Sequence, residues 1–151
     1  MPDGLYERDV LAWSQHQADL LRRLGHGERV NDVDWANVAE EIEDVGLSEL
    51  HSVESFLNLM MVHLLKLNVW PDSPACGHLR GEIAAFRNNA KRRLAPSMRQ
   101  RVDIAVLYAD AVEQIRAGDP EARVPAENPF TVDQLLKDDT NALLSRLPAS
   151  A

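Results

Sequence analysis

The feature that most constrains this chain is the segment Val53–Leu67, in which ten of fifteen residues are apolar. The apolar residues fall on nearly every side of a helix rather than on one stripe, and such a helix is buried in a protein core or in a membrane. Asn58, His63 and Lys66 interrupt the run, whereas a membrane span needs about 20 consecutive apolar residues. We therefore predict a buried central helix over about Ser48–Val69 and no membrane span.

The sequence before this segment predicts two amphipathic helices. The first covers Leu5–Leu24, where apolar residues recur at helical spacing. The second begins after Asp34, which is expected to be its N-cap, and Gly46 is expected to break or kink it before the central helix starts. Its apolar positions predict a core-facing stripe made of Trp35, Val38, Ala39, Ile42 and Val45.

The sequence after the central helix predicts further helices separated by proline-containing loops. A fourth helix is expected over His78–Leu94. A capping box at Ser97 predicts a helix to about Ala117, and a second box at Thr131 predicts a short helix to about Lys137. An extended loop is expected over 119–129, and residues 140–151 are expected to be weakly ordered.

No stretch shows the alternating pattern of a strand, so the predicted fold is all-α. We expect a compact bundle of five to six helices around the central buried helix. A chain of 151 residues fits one domain, here 1–151 with a core over about 5–137.

Charge and cysteine content restrict the class of protein. The net charge of -8 argues weakly against nucleic-acid binding, and the single Cys76 excludes a disulfide framework. No signal peptide is recognisable at the N-terminus, so a cytoplasmic location is expected.

Residues 1–54 hold 13 acidic and 4 basic side chains, whereas residues 55–101 hold 2 acidic and 8 basic ones. The two regions either pair within one bundle or offer a charged face to a partner.

Polar residues at predicted core positions are the candidates for chemistry. Gln17 interrupts the stripe of the first helix, and His63 lies among apolar residues of the central helix. Glu41 or Glu43 could supply a carboxylate to His63 as a general base or ligand, with Gln17 orienting it. The same residues could equally be paired inside the core with no role in catalysis. Because phosphate-loop, nucleophile-elbow and zinc-helix motifs are missing, no cofactor or metal is expected.

A run of basic residues on the predicted fourth helix forms a second candidate. Arg80, Arg87 and Lys91 share one stripe of that helix. Such a stripe could bind nucleic acid or an acidic protein, although it lacks interleaved aromatic residues. It could also be solvated or paired within the protein.

Several blocks along the chain, in order, resemble one bacterial family. They include the segments 38–43, 63–66, 79–83, 129–131 and 134–136, together with Ala12-Trp13 near the N-terminus. In these blocks the sequence is similar to the helical proteins known as domain of unknown function twenty-nine, over about residues 5–137. The resemblance implies an all-α fold and brings no activity, substrate or catalytic residue with it.

Three functional hypotheses follow from the sequence. The first is a non-catalytic interaction or adaptor module that binds a protein partner or associates with itself as a homodimer. The second is an enzyme or a ligand- or metal-binding bundle that uses an interhelical cluster of glutamate and histidine. The third is binding of nucleic acid or an acidic partner by the basic helix. The first is preferred because a core-rich helical pattern occurs here without a catalytic motif.

Overall fold

The computed structural model describes residues 4–149 of the chain. These residues form eight α-helices and no strand, which confirms the all-α prediction. In chain order the helices are α1 Leu5–Arg8, α2 Val10–Gly25, α3 Trp35–Val69, α4 Cys76–Arg93, α5 Pro96–Arg99, α6 Ile104–Gly118, α7 Val132–Lys137 and α8 Thr140–Leu144. None of the helices in this part of the chain has both the length and the apolar character that a bilayer span requires. Residues 150–151 of the expected weakly ordered tail lie outside the described residues.

The longest helix, α3, joins two segments that were expected to be separate. It runs for 35 residues through Gly46, so the predicted break at that glycine is wrong. A single glycine costs a helix only about 1 kcal/mol relative to alanine, which the surrounding helix formers readily offset. Asp34 is confirmed as the N-cap, because its Oδ1 accepts from the backbone N–H of Asn37 at 3.5 Å.

The structure divides into two units, one ending at Ser48 and one beginning at Glu49. In the C-terminal unit, the part of α3 after Glu49 is buried as predicted. Leu57, Met60, Met61 and Leu64 are fully inaccessible to solvent and join side chains from α4, α6, α7 and α8 in one apolar core. The central buried helix of the prediction is therefore confirmed.

Two other predicted helices are each interrupted by an aspartate that starts a new helix. The first helix stops at Arg8, and Asp9 then caps α2 by accepting from the N–H of Ala12. Ser97 is not the cap of a long helix but lies within α5, and Asp103 caps α6 by accepting from the N–H of Val106. A short polar side chain can accept from the backbone N–H three residues on, and this local bond favours a cap over a continuous helix.

The segment from Asp119 to Phe130 contains no helix, as expected for its three prolines. It is nevertheless attached to the core. The hydroxyl of Tyr108 donates to the carbonyl of Pro125 at 2.6 Å, and the Phe130 side chain is buried. The capping box of Thr131 and Gln134 is confirmed, with both reciprocal bonds at the start of α7.

The N-terminal unit has few buried apolar side chains. Only Trp13, Leu20 and Val38 are buried large hydrophobic residues in its described part. The predicted core stripe on the first part of α3 is otherwise wrong: Trp35, Ile42 and Val45 are exposed by 59, 67 and 68%, and Ala39 is also exposed. Helical spacing identifies an apolar face, but it does not indicate whether the same chain covers that face.

Candidate functional site

Asp34 is the centre of a hydrogen-bond network in the N-terminal unit. Its Oδ2 accepts from the indole N–H of Trp13 at 3.0 Å and from the side-chain amide of Asn37 at 2.9 Å. These bonds lower the pKa of Asp34, with the bond from Asn37 as the larger cause and that from Trp13 next. The carboxylate is therefore held in its charged form at the start of α3.

Gln17 takes part in the same network from α2. Its Oε1 accepts from the backbone N–H of Asp34 at 2.8 Å, and the residue is only 6% exposed. This bond fixes the orientation of the amide, so Nε2 is the remaining donor. Among residues 4–149 Gln17 Nε2 donates no hydrogen bond, and it is not one of the fully buried polar atoms, so it is accessible to solvent.

Glu41 is bound by a tyrosine in the same unit. The hydroxyl of Tyr6 donates to Glu41 Oε1 at 2.6 Å, and this bond is the main reason why the pKa of Tyr6 rises to about 12. The neighbouring Glu43 is exposed. Glu41 and Glu43 precede His63 by 22 and 20 residues along α3.

A cavity of about 480 Å³ lies beside this network in the N-terminal unit. Its walls include the aromatic side chains of Tyr6 and Trp13, whose rings meet edge to face with centroids 4.8 Å apart. Gln17, Asp32, Asp34 and Trp35 also line it. The cavity therefore combines aromatic surface, carboxylates and one unused amide donor.

The exposed apolar residues of α3 begin at the same place. Trp35, Ile42 and Val45 lie within about 80° of one another around the helix axis, and we call these three residues the open face of α3. Trp35 also lines the cavity, so the open face and the cavity have this residue in common. Glu41 and Glu43 flank the open face on either side.

His63 has a different partner from the one that the sequence suggested. Its Nε2 contacts Oε2 of Glu82 on α4, and the other oxygen of Glu82 contacts Nε2 of His78 at 3.0 Å. The pKa of Glu82 is lowered, first by its hydrogen bond to His63 and next, among lowering effects, by the charge of His78. His63 is 7% exposed, and its Nδ1 is buried without a hydrogen-bond partner among residues 4–149.

Sequence reasoning did not single out Glu82, although one signal pointed to it. Glu82 and Asp72 are the two acidic residues in residues 55–101, and only Glu82 lies on α4. A buried histidine on the central helix needs a partner from a neighbouring helix, and this glutamate was the one available on α4. The pair joins two helices, but neither it nor His78 lines the N-terminal cavity or the larger groove of about 1010 Å³ along α6.

Two members of the predicted basic stripe are bound by neighbouring elements. Arg80 donates to the side chain of Asn141 at 3.0 Å, and Arg87 donates from Nε to the carbonyl of Leu135 at 3.1 Å. Lys91 is exposed on the same helix. In the described part of the chain, no group of three or more histidine, cysteine, aspartate or glutamate side chains is arranged to hold a metal ion.

Comparison with known proteins gives a family and a fold. The family described as "Domain of unknown function DUF29" matches residues 5–140. The crystal structure of an alpha-helical protein of unknown function from Rhodospirillum rubrum is similar, with 32% sequence identity and a TM-score of 0.71. That match covers 93% of this chain and 96% of the other. The search of curated proteins found no match.

Proposed function

This chain belongs to the DUF29 family of domains of unknown function, and we propose that it is an interaction module that binds a basic, amphipathic helix of a partner protein. The binding surface is the open face of α3. The observation that carries the proposal is the exposure of Trp35, Ile42 and Val45 on one side of a helix, in a unit whose described residues include only three buried large apolar side chains. Exposed apolar surface of this kind commonly marks a protein interaction site.

Charge favours a basic partner over a second copy of the same unit. Residues 1–48 carry 11 acidic and 4 basic side chains. A symmetric pairing of two such units through the open face would bring two acidic surfaces together, and like charges across an interface are unfavourable. A partner helix with lysine or arginine beside its apolar stripe would instead meet Glu43, the acidic residue on the flank nearest Trp35.

The mode of binding follows from the shape of the surface. An amphipathic helix can lay residues at i, i+3, i+4 and i+7 against the apolar side chains of another helix. Trp35 is the expected main contact, because tryptophan and tyrosine are enriched among the residues that dominate binding energy.

The proposal is tested with a synthetic leucine–lysine helix that carries all its leucines on one face. Binding is followed by the fluorescence of the protein, with Trp70 replaced by phenylalanine so that only Trp13 and Trp35 report. We expect saturable binding that weakens with salt, and a loss of at least about tenfold, or ~1.4 kcal/mol, in Ile42→Lys. Val106→Lys is the matched control, because Val106 is 54% exposed on α6 and lies outside the open face.

Two outcomes would overturn the proposal. One is equal binding of a leucine–glutamate helix or of a shuffled leucine–lysine peptide, which lack the basic charge or the apolar face. The other is a homodimer in sedimentation equilibrium that Ile42→Lys dissociates and Val106→Lys does not. In that case the open face is covered by a second copy.

A further inference from the structure

We propose that the cavity in the N-terminal unit binds an arginine residue of a peptide, with its guanidinium group towards Asp32 and Asp34 and its backbone carbonyl at the amide of Gln17. The inference rests on the proposed function, because the arginine would belong to the partner helix on the open face. Trp35 belongs to both surfaces, so a segment that contacts Trp35 on the open face lies next to a residue that lines the cavity.

The unused donor of Gln17 is the first observation that points to a ligand. Gln17 is buried, lines the cavity and has no acceptor for Nε2 among the described residues. Nε2 is not one of the fully buried polar atoms, so it is accessible and can donate to a ligand in the cavity. A carbonyl oxygen of a bound peptide is the simplest partner for an amide N–H.

The carboxylates are the second observation, and they require a different group on the ligand. Asp34 Oδ2 already accepts two hydrogen bonds, but Oδ1 accepts only the long 3.5 Å bond from the backbone of Asn37. Oδ1 can therefore accept from a cationic donor. Asp32 lies on the same cavity wall with φ of 65°, a left-handed conformation that only a few residue types tolerate.

The aromatic walls favour arginine over lysine. Tyr6, Trp13 and Trp35 line the same space as the two aspartates. A planar guanidinium can stack on an aromatic ring while it donates hydrogen bonds to a carboxylate, whereas a lysine ammonium is a strongly hydrated point charge. The volume of about 480 Å³ is in the range of about 300–1,000 Å³ that is usual for ligand pockets.

The test uses three small probes on the full chain with Trp70→Phe, read by the fluorescence of Trp13 and Trp35. N-acetyl-L-argininamide carries both the guanidinium and the carbonyl groups. Propylguanidine carries only the cation, and N-acetyl-L-norleucinamide carries only the carbonyls. We expect N-acetyl-L-argininamide to bind most tightly and N-acetyl-L-norleucinamide to bind most weakly.

Two aspartate variants test the cation site. Asp32→Asn is conservative, because asparagine also tolerates positive φ. Asp34→Asn keeps a good N-cap residue but replaces one of the two carboxylate oxygens that accept from Trp13 and Asn37. Each is expected to weaken N-acetyl-L-argininamide at least about tenfold, with no change for N-acetyl-L-norleucinamide. Glu28→Gln is the matched control, since Glu28 is paired with Arg23 and does not line the cavity. Unchanged binding in both aspartate variants would overturn the inference.

One further variant tests the carbonyl contact. Gln17→Met removes the amide donor, and we expect it to abolish the preference for N-acetyl-L-argininamide over propylguanidine. An unchanged preference would refute the role of Gln17. The aspartate variants keep the cation site testable if Gln17→Met does not fold.

Because the leucine–lysine helix contains no arginine, its binding to the open face without any probe binding would refute the cavity assignment and leave the proposed function intact.

Discussion

His63 on α3 and Glu82 on α4 are in direct contact through Nε2 and Oε2, 19 residues apart in sequence. The contact gives a partner to a histidine that would otherwise interrupt an apolar core. It also brings a carboxylate to the edge of that core, where its second oxygen remains close to the exposed His78.

Replacement of this carboxylate should reduce stability in a pH-dependent way. Because the pKa of Glu82 is lower in the folded protein than its ordinary value of 4.5, the stabilisation by its carboxylate is fully present above about pH 4.5 and disappears as pH falls through the folded pKa. Glu82→Gln should therefore unfold at lower denaturant than the wild type near neutral pH, and the difference should shrink in acid. The measurement is urea unfolding at a series of pH values.

The exposed Glu113 provides the control for that series. Glu113→Gln should follow the wild type at every pH. A difference for Glu82→Gln that stays constant from neutral pH to pH well below 4 would show that the charge of Glu82 is not what stabilises the contact.

The bond between Tyr6 and Glu41 should be visible in the ionisation of the tyrosine. Tyr6 and Tyr108 both have a pKa raised to about 12, the first chiefly by Glu41 and the second by burial. In a Tyr108→Phe background, Glu41→Gln should move the pKa of Tyr6 back towards its ordinary value of about 10. The measurement is ultraviolet absorbance of tyrosinate against pH.

The sign of the associated stability follows from the direction of the shift. Because the pKa of Tyr6 is raised in the folded protein, the contribution of Tyr6 to folding stability is fully present below about pH 10. It is lost as pH rises through about 12. Asp44→Asn, on the same helix, is the control, since Asp44 is only the last of the charges that raise the pKa of Tyr6. An equal shift in Asp44→Asn and Glu41→Gln would contradict the hydrogen bond as the main cause.

Gly46 should be replaceable by alanine with a gain in stability. It lies inside α3, and a Cβ added there would meet no atom within 4 Å. Gly46→Ala is expected to stabilise by about 0.5–1 kcal/mol, because alanine loses less backbone entropy in a helix. Gly27→Ala is the contrasting variant and should destabilise, since Gly27 has φ of 86°. A loss of stability in Gly46→Ala would indicate that the helix is not continuous there.

The two ends of α3 should respond differently to truncation of an apolar side chain. Leu64 is fully buried, whereas Ile42 is 67% exposed. Leu64→Ala should cost about 2–5 kcal/mol and Ile42→Ala less than about 0.5 kcal/mol in equilibrium unfolding. Similar losses in the two variants would mean that Ile42 is buried in solution.

Much of the fold was predictable because its signals are local. The apolar run around Met60 and Met61 predicted the central helix, and Thr131 with Gln134 predicted the start of α7. These patterns depend on residues within one or two turns of each other, and the structure reproduces them.

The remaining features depend on contacts that are distant in sequence. The pairing of His63 with Glu82 depends on how two helices pack, and the periodicity of either helix alone does not determine it. The same limit applies to Trp35 and Ile42, whose spacing is that of a core face although they are exposed. In the candidate site, Gln17 was recognised as a polar residue at a buried position, but its bond to Asp34 could not be inferred from either helix.

The continuity of α3 through Gly46 has a consequence for how the protein unfolds locally. One continuous helix runs from the N-terminal unit, whose described part buries three large apolar side chains, into the segment 60–65, in which every side chain is buried. Fluctuations should therefore fray this helix from Trp35 inwards and stop near Leu50, where the dense packing begins. In hydrogen-exchange measurements, this one continuous helix would then behave as two segments. Backbone amides before Leu50 would exchange faster than those after it.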